Sequence, residues 1–557
     1  MAALGSAAVV LVVITAVLPN LPCEAPGGDE CPPPDDAIEL VPSGALAYAH
    51  ANLDPETEQY QAAVEIAGRT PLLTRQVAGR LLPLLIGAAG QPSDFASEIE
   101  PWFGGEVAVA AIGGPGTIAR QVQLLEVADD AGAREYAESI AAGVTATEDY
   151  HDIEVSEDER GLATAIVNGF LVLGTGSGVR EVVDVATGAE GVESLAGDPV
   201  AERALGGLPD FRVAEAYVSE DGVERYVGDE AGPLSTLEPL VDAGASRGVA
   251  VGLSADEHGL EVATRSILDP ERAESSPGFF AAFDAFEPKL PERLSADTFA
   301  YLGLGEPRRT FGLLLAQATA RAPAIASGLT DVITELRDAA GVDLERDLLS
   351  TLQGEAAIAV VGRPSPEEAD PDAGLPGLPA PDTLVPGAGE PPYLELLADD
   401  VDPERTRDAL ARLQGPIARA LADPSLGAPV FGQQTFGDVE AQLLRISPTT
   451  QLAYAVVDSL LVIANDPVGV ERVATLEGEA LADSERYSDA TEGLADDDPS
   501  FLVYLDLAGL LSFGESGGVV EFGTYGDDVS RLQTLALTVS SSDDELRGDA
   551  RLTIDPR

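Results

Sequence analysis

Two stretches of similar pattern decide the fold: Asp94-Phe-Ala-Ser-Glu-Ile-Glu-Pro-Trp-Phe-Gly-Gly-Glu-Val-Ala-Val-Ala-Ala111 and Asp343-Leu-Glu-Arg-Asp-Leu-Leu-Ser-Thr-Leu-Gln-Gly-Glu-Ala-Ala-Ile-Ala-Val360. Each begins with an aspartate whose carboxylate can accept the free N–H groups of a first helical turn. Each continues through a short amphipathic segment to Gly-Glu and a run of small and branched apolar residues. The pattern predicts a short helix followed by a strand that is buried on both faces in the middle of a sheet.

The order of motifs in the first half of the chain recurs in the second half. A strand, helical segments, the Gly-Glu strand, an internal hairpin and a closing hairpin follow one another in both. The corresponding segments are Leu46-Ala-Tyr48 with Thr298-Phe-Ala-Tyr301, residues 162–174 with 451–463, and residues 214–217 with 500–504. A period of roughly 250 residues predicts a duplicated domain, because solenoid repeats have periods of about 20–50 residues.

The clearest hairpin is centred on Asn168-Gly169. Residues 162–167 and 170–174 on either side are largely apolar. Asn-Gly supplies both positive-φ residues of a type I′ turn, which is the connection that suits two antiparallel strands. The counterpart of this hairpin in the second half places Asp458-Ser459 at the turn.

These patterns predict an α+β protein with a duplicated domain, in which each half is a largely antiparallel sheet with helices packed against it. The first repeat covers residues 41–272 and the second residues 290–557, with a linker over 273–289. Residues 363–392 are rich in proline, glycine and acid, and they replace the short turn Gly113-Gly-Pro-Gly116 of the first repeat. Their composition predicts a disordered loop.

The most unusual feature of the composition is its acidity. The chain carries 96 Asp and Glu against 32 Lys and Arg, for a net charge of −64. Such a surface repels phosphate backbones, so nucleic acid is excluded as a partner. We interpret the acid as solvation of a large body, with a specific cation-binding role as the alternative.

Residues 2–19 form an uncharged apolar segment, and the first charged side chain is Glu24. A helix that spans a bilayer needs about 20 apolar residues, whereas the apolar core of a signal peptide needs about 7–15. We predict that residues 1–22 act as an uncleaved signal anchor, with a cleaved signal peptide as the alternative. A Pro- and acid-rich tether over residues 23–40 then places the body outside the cell, either held at the cell membrane or secreted.

Cys23 and Cys31 are the only cysteines, and both fall in this tether. An oxidising compartment would allow a disulfide between them. They lack a neighbouring histidine or a second cysteine pair, so their pattern does not indicate a metal site. A small cross-linked loop and two unpaired thiols both stay open as alternatives.

Gly174-Thr-Gly-Ser-Gly178 follows a predicted strand and opens a predicted helix, which is the setting of a phosphate-binding loop. Val179 takes the place of the third fingerprint glycine, and no Gly-Lys-Ser/Thr is present. The counterpart Ala464-Asn-Asp-Pro-Val468 has the pattern of an ordinary helix entry with proline in the first turn. We interpret residues 174–178 as a turn and residues 464–468 as a helix entry, and we predict no cofactor.

The three histidines, His50, His151 and His258, share no catalytic or metal-binding spacing. His50 lies on the first predicted strand, His151 lies in an acidic segment, and His258 lies at a predicted hairpin tip. No Gly-x-Ser-x-Gly nucleophile elbow accompanies them. A triad assembled in space stays open as an alternative, but the sequence predicts no catalytic and no metal-binding residue.

Two further features have competing interpretations. The acid clusters at residues 157–159, 399–400, 496–498 and 543–545 lack the pattern of a twelve-residue calcium loop, and we predict solvated tips, with weak binding of external cations as the alternative. Residues 72–89 are apolar around much of a helix circumference. They predict a helix packed across the sheet, with the wall of an apolar ligand cavity as the alternative.

The stretch Val41-Pro-Ser-Gly-Ala-Leu-Ala-Tyr-Ala-His-Ala-Asn-Leu-Asp54, with the Gly-Glu-Val-Ala-Val strand and the apolar N-terminus, resembles a bacterial envelope family. That family is known only as a domain of unknown function, DUF3352. The resemblance covers most of residues 41–557 and implies an envelope protein with a single N-terminal anchor. It implies no catalytic residue.

The leading functional hypothesis is a non-enzymatic, membrane-tethered extracytoplasmic protein that binds or scaffolds a cell-envelope component. Its partners would be the cell membrane, through the N-terminal segment, and an envelope component or an apolar ligand. The alternative is a carrier of lipid or another apolar molecule, and a hydrolase is the third hypothesis. An enclosed apolar cavity above about 300 Å³ would favour the carrier, and histidine and carboxylates in one cleft would favour the enzyme.

Overall fold

The computed structural model describes residues 34–72, 74–75, 95–114, 118–141, 143–228, 241–275, 283–308, 334, 337, 343, 346, 348–362, 392–420, 430–436, 439–445, 451–476, 478–494, 498–516 and 526–555. The chain divides into two compact units. Unit 1 comprises Met1–Gly68, Thr74–Ser235 and Ser246–Ile267, and unit 2 comprises Arg69–Leu73, Thr236–Ala245 and Leu268–Arg557.

The described part of unit 1 is built on an antiparallel sheet. In chain order its strands are β1 Ala45–Asn52, β2 Phe103–Ile112, β3 Arg120–Val127, β4 Val144–Tyr150, β5 Ile153–Asp158, β6 Leu162–Val167, β7 Phe170–Thr175, β8 Ala214–Ser219, β9 Ser246–Ala255 and β10 Gly259–Leu268. Their order across the sheet is β10-β9-β8-β1-β2-β3-β7-β6-β5-β4. Strand β1 therefore lies in the interior of the sheet, between β2 and β8.

Helices cover both faces of this sheet. They are α1 Glu58–Arg69, α2 Phe95–Glu98, α3 Asp130–Ile140, α4 Gly176–Ala186, α5 Pro199–Gly206 and α6 Glu220–Val223. Val182 of α4 and Leu205 of α5 join the main hydrophobic core, whereas Ala133 of α3 joins a smaller core with Trp102 and Leu171 on the opposite face. Alternate residues of one strand thus serve two cores, as the period of two in a strand requires.

The described part of unit 2 is also an antiparallel sheet with helices. Its strands are β11 Thr298–Leu304, β12 Ala356–Val361, β13 Tyr393–Ala398, β14 Val430–Phe436, β15 Val439–Arg445, β16 Gln451–Val457, β17 Leu460–Ala464, β18 Phe501–Asp506, β19 Leu532–Ser541 and β20 Glu545–Ile554. The order across the sheet is β20-β19-β18-β11-β12-β13-β17-β16-β15-β14. The predicted α+β class with largely antiparallel sheets is confirmed.

The helices of unit 2 include one with a clearly formed N-terminal cap. They are α7 Pro270–Ser275, α8 Pro403–Ala420, α9 Pro467–Thr475, α10 Glu485–Thr491, α11 Leu507–Ser516 and α12 Gly526–Val529. Asp466 caps α9 by accepting the N–H of Val468, with Pro467 in the first turn. The predicted helix entry at residues 464–468 is therefore confirmed.

The turn at Asn168-Gly169 has the predicted type I′ geometry. Both residues have positive φ, 46° and 89°, and they join β6 to β7. Asp458, with φ 50°, lies at the corresponding position between β16 and β17. The local turn chemistry therefore fixes both hairpins where the sequence places them.

The prediction that the two Gly-Glu strands are buried on both faces is wrong. Strands β2 and β12 each lie between two neighbours, but buried and partly exposed residues alternate along them. Ile358 on β12 is 43% exposed. An antiparallel sheet needs only one covered face, and the many alanines of these strands expose little apolar surface.

Several predicted features lie outside the described residues. They are the anchor over residues 1–22, Cys23 and Cys31, residues 363–391 of the predicted loop, residues 496–497, and most of residues 72–89. Among the helices that the structure does describe, none combines the length and the apolar character needed to cross a membrane.

Candidate functional site

A cluster of polar side chains lies on one face of the sheet of unit 1. On β1, Tyr48, His50 and Asn52 occupy alternate positions and therefore share a face. His50 pairs directly with Glu215 of β8, and Asn52 pairs with Glu106 of β2. Three neighbouring strands thus bring a histidine and two glutamates together.

His50 is at the centre of this cluster and is 2% exposed. Its Nε2 lies 3.5 Å from Oε1 of Glu106, and its Nδ1 lies 3.7 Å from Oε1 of Glu215. Neither ring nitrogen has a hydrogen-bond partner among the described residues. Such a buried group is uncommon, because an unsatisfied polar atom costs about 1–3 kcal/mol.

Asp35 enters the cluster from the segment before β1. A short 3-10 helix over Ala37–Leu40 follows it, and Oδ1 of Asp35 accepts hydrogen bonds from the Tyr48 hydroxyl and from the N–H of Ile38. Glu106 holds the start of the same 3-10 helix, because its Oε1 accepts the N–H of Ala37 at 2.7 Å. The acidic residues therefore fasten this segment to the sheet.

Glu215 is held by the loop that precedes β8. Its Oε2 accepts a hydrogen bond from Nε of Arg212 at 2.5 Å. The Arg212 side chain also donates to the carbonyl of Pro209, and both charged side chains are almost fully buried. Arg212 is thus fixed in position and offsets one of the three carboxylates.

Burial shifts the pKa values of this cluster in the direction that favours the uncharged form of each side chain. It raises the pKa of Asp35 and Glu215, and it raises that of Glu106 to about 7. It lowers the pKa of His50 to about 4, a shift that the neighbouring Glu215 opposes and Arg212 reinforces. A neutral imidazole has a free lone pair on one nitrogen and can act as a ligand.

In the Gly-Glu motif of unit 2, Glu355 has hydrogen-bond partners similar to those of Glu106, but no histidine occupies the place of His50. Oε2 of Glu355 accepts the N–H groups of Lys289 and Leu290, at 2.7 and 2.8 Å, and its other oxygen accepts the Tyr301 hydroxyl. Gly303 follows Tyr301 by two residues, and a side chain there would collide with the Tyr301 hydroxyl. The motif therefore has a structural role in both units, as the acceptor for a 3-10 helix start.

Unit 2 also contains an open pocket of about 420 Å³. Its lining residues are Ala285, Phe286, Glu287, Lys289, Glu306, Gln353, Gly354, Glu355, Asp399, Asp400 and Ser459. Five of these are acidic, and Lys289 is the only lysine in the chain. The pocket thus offers mainly hydrogen-bond acceptors and negative charge.

The glycine-rich segment at residues 174–178 forms a helix entry, as predicted. Thr175 caps α4 by accepting the N–H of Gly178. A Cβ added at Gly176 would meet the carboxylate of Glu157, and one at Gly178 would meet Val122. The glycines therefore allow close packing of the helix start against neighbouring side chains.

The other two histidines lie on hairpins. His151 and Asp152 form the turn between β4 and β5, with φ 54° and 64°, and His151 Nε2 is 3.4 Å from Asp184. The His258 side chain is 62% exposed beside Glu257. The structure therefore does not bring these two histidines into the cluster of His50.

The prediction of solvated tips is wrong for Asp158. This residue is 4% exposed, and its carboxylate accepts hydrogen bonds from the N–H groups of Arg160 and Leu162. It also forms an ion pair with the Arg160 side chain. Asp158 thus organises the turn between β5 and β6, whereas Asp400 lies exposed in the pocket of unit 2.

Sequence reasoning placed His50 on a strand but missed its partners Asp35, Glu106, Arg212 and Glu215. A usable signal was present in Tyr48-Ala-His-Ala-Asn52, where polar residues alternate with alanine. Such alternation puts the polar residues on one face. A glutamate within the apolar stretch Val213-Ala-Glu-Ala-Tyr217 gives the same signal on β8.

Comparison with known families gives a match to a family described as "Protein of unknown function (DUF3352)", over residues 4–378. This match covers more than half of the chain. The chain belongs to this family. The resemblance expected over most of residues 41–557 is therefore matched as far as residue 378, which includes every residue of the His50 cluster.

The other comparisons give no information about function. No curated protein matches the chain. Among solved structures, crystal form I of TP0453 is 12% identical, covers 42% of this chain and 80% of that one, and has a TM-score of 0.25. Crystal form IV of TP0453 is 13% identical, covers 41% and 79%, and has the same TM-score. A structural similarity at this level supports no conclusion about this chain.

Proposed function

We propose that the chain is a non-enzymatic, membrane-tethered extracytoplasmic protein that binds or scaffolds a cell-envelope component. The observation that carries the proposal is the open pocket of unit 2, because its volume falls in the range of about 300–1,000 Å³ typical of ligand sites. Its wall of carboxylates, with Gln353 and Ser459, suits a component rich in amino or hydroxyl groups.

The acidic wall of the pocket argues against the apolar carrier. A lipid tail would have to displace water from Glu287, Glu306 and Asp399 without returning hydrogen bonds to them. Burying a polar group in this way costs several kcal/mol. An amine or a hydroxyl, by contrast, donates to these oxygens, and this difference favours the polar ligand over the apolar one.

Burial of the His50 cluster argues against the hydrolase. His50, Glu106 and Glu215 are 2%, 4% and 5% exposed. A general base must come within hydrogen-bond reach of the proton that it removes. A substrate outside the sheet cannot approach these atoms, so we propose that the protein acts by binding rather than by catalysis.

Sedimentation with an insoluble envelope fraction tests the pocket. The double variant Asp399→Asn and Asp400→Asn removes two carboxylates with nearly isosteric amides, and asparagine tolerates the positive φ of residue 400. We expect it to lose about tenfold or more in affinity, which equals about 1.4 kcal/mol.

The matched control is Glu190→Gln with Glu193→Gln, which removes the same charge from an exposed loop of unit 1. We expect this control to bind as the wild type does. Equal losses in both double variants would mean that binding depends only on total charge, and the pocket proposal would then fail.

We propose the membrane anchor from the apolar residues 2–19. If these residues anchor the chain, the full-length protein should stay in the membrane pellet after carbonate washing. Recovery of a soluble chain that begins after residue 19 would instead indicate cleavage and secretion.

We also propose that the two units arose by duplication. Support comes from the equivalent strand orders, in which β11 to β20 take the places of β1 to β10, and from Glu106 and Glu355 as matching acceptors for 3-10 helices. An experimental structure should superpose Gly105-Glu106 on Gly354-Glu355. Different strand orders in the two units would contradict the proposal.

A further inference from the structure

Three ligand atoms of different side chains converge within unit 1. One atom from each of Asp35, His50 and Glu106 lies within 4.8 Å of the other two. Acidic groups alone often cluster without binding anything. Here the histidine is nearly fully buried, and both of its ring nitrogens lack a hydrogen-bond partner among the described residues. The fold thus holds in place an imidazole that forms no hydrogen bond with the rest of the described chain.

The distance between His50 and Glu106 fits a shared metal ion better than a hydrogen bond. Nε2 and Oε1 are 3.5 Å apart, whereas N–H···O hydrogen bonds cluster near about 2.9–3.0 Å. Two ligands bound at about 2.1 Å to one tetrahedral ion lie about 3.4 Å apart. An ion could therefore enter between these two atoms with little movement of either strand.

The other side of the imidazole has the surroundings of a metal-bound histidine. Nδ1 faces Glu215 at 3.7 Å, and Arg212 holds that carboxylate in place. Metal-bound histidines usually donate their second N–H to a carboxylate, which fixes the ring orientation. At 3.7 Å this contact is longer than a hydrogen bond, but it places a fixed carboxylate on the side of the ring where a metal-bound histidine needs one.

The balance of charge also calls for a cation. Asp35, Glu106 and Glu215 bring three carboxyl groups into the cluster, and Arg212 brings one guanidinium. Burying a carboxylate without an opposite charge beside it is costly, even where it accepts hydrogen bonds. A divalent ion would compensate the two carboxylates that Arg212 does not contact.

We propose that Asp35, His50 and Glu106 form a binding site for one divalent first-row transition-metal ion. An imidazole with two carboxylates suits zinc, manganese or iron, whereas magnesium and calcium prefer all-oxygen sites. The ion would tie the segment before β1 to strands β1 and β2. Its role is structural, because His50 and Glu106 are buried and Asp35 is partly buried, and it is taken up as the chain folds.

Zinc content after refolding tests the site. The full chain is unfolded in denaturant with chelator, refolded in detergent with zinc, dialysed and measured by mass spectrometry of the metal. We expect about one ion per chain in the wild type, because buried zinc sites exchange slowly. His50→Gln and Asp35→Asn should retain little zinc, and Glu215→Gln should bind it about 10–100-fold more weakly.

The control is His258→Ala, which removes an exposed histidine beside an acid and should keep full zinc content. The acidic surface is the same in all variants, so loose surface binding cannot imitate the difference. A wild type that retains no more zinc than a folded His50→Gln variant overturns the proposal.

Cobalt gives a second test that needs no variant to fold. In the wild-type chain refolded with cobalt, we expect the intense visible absorption of a four- or five-coordinate ion with a nitrogen ligand. The weak spectrum of the hydrated ion, after refolding is verified by circular dichroism, would equally overturn the proposal.

Discussion

Buried carboxyl groups in this protein differ in how well their hydrogen bonds are satisfied. Glu355 accepts two backbone N–H groups and a tyrosine hydroxyl. Glu395 on β13 is 1% exposed, and its Oε1 has no hydrogen-bond partner among the described residues. Burial raises the pKa of Glu395 to about 7, although Arg472 opposes the shift. At this single residue the fold therefore favours the protonated acid.

Glu395→Gln should change the pH dependence of stability. The pKa of Glu395 in the folded state lies above its value of about 4.3 in the unfolded state. The protonated acid therefore stabilises the fold at low pH, and this stability is lost as the pH rises through about 7. The wild type should lose on the order of 3 kcal/mol relative to the variant between about pH 4.5 and 8. Denaturant unfolding of both proteins across this range measures the difference.

Glu479→Gln is the control for this measurement, because it removes one carboxylate from an exposed position of the same unit. The free-energy difference between this control and the wild type should stay nearly constant over the range. If Glu395→Gln behaves in the same way, Glu395 is ionised in the folded state and the interpretation is wrong.

At the scale of elements, the turns carry much of the information that positions strands. Gly169 has φ 89°, and a Cβ there would meet nothing within 4 Å. Gly169→Ala should therefore cost about 1 kcal/mol through backbone strain alone. Thermal or denaturant unfolding measures this cost.

Gly197→Ala is the matched variant without strain. Its Cβ also meets nothing within 4 Å, and its φ lies outside the left-handed region. We expect it to be neutral or slightly stabilising, because alanine restricts the unfolded chain. Equal effects of the two substitutions would show that the turn at Asn168-Gly169 does not depend on its positive φ.

The sequence predicted elements with apolar periodicity and strong turn residues, and it missed those without them. Strand β1, Ala45–Asn52, contains both the Leu46-Ala-Tyr48 motif and His50, which the sequence pattern places on the first strand. The hairpin of β4 and β5 was missed, because Val144-Thr-Ala-Thr-Glu-Asp-Tyr150 lacks an apolar face and His151-Asp152 is not a typical I′ pair. In the structure, the pairing of β4 with β5 and the burial of Val155 in the main hydrophobic core hold this hairpin.

The candidate metal site could not be predicted in the same way. Its members lie between residues 35 and 215, and they meet only because β1 pairs with both β2 and β8 in one register. A shift of one residue in either pairing would turn Glu106 or Glu215 to the other face. The alternation in β1 indicates a polar face, but only the register identifies what that face contacts.

For the whole molecule, the acidity of the chain and the acidity of the pocket have different consequences. The net charge of −64 acts over the entire surface, and salt at 0.15 M screens it within about 8 Å. Carboxylates gathered around an open pocket act at short range and can select a ligand by hydrogen bonds. The proposed function therefore depends on a ligand held by the pocket and not on charge in general.

Mass spectrometry of material extracted with the native full-length protein shows whether the pocket holds such a ligand. We expect a polar envelope component rich in amino or hydroxyl groups, present with the wild type and lost from the Asp399→Asn, Asp400→Asn variant. We also expect the Glu190→Gln, Glu193→Gln variant to retain the component. A stoichiometric lipid that persists in both double variants would refute the polar ligand and favour the apolar carrier.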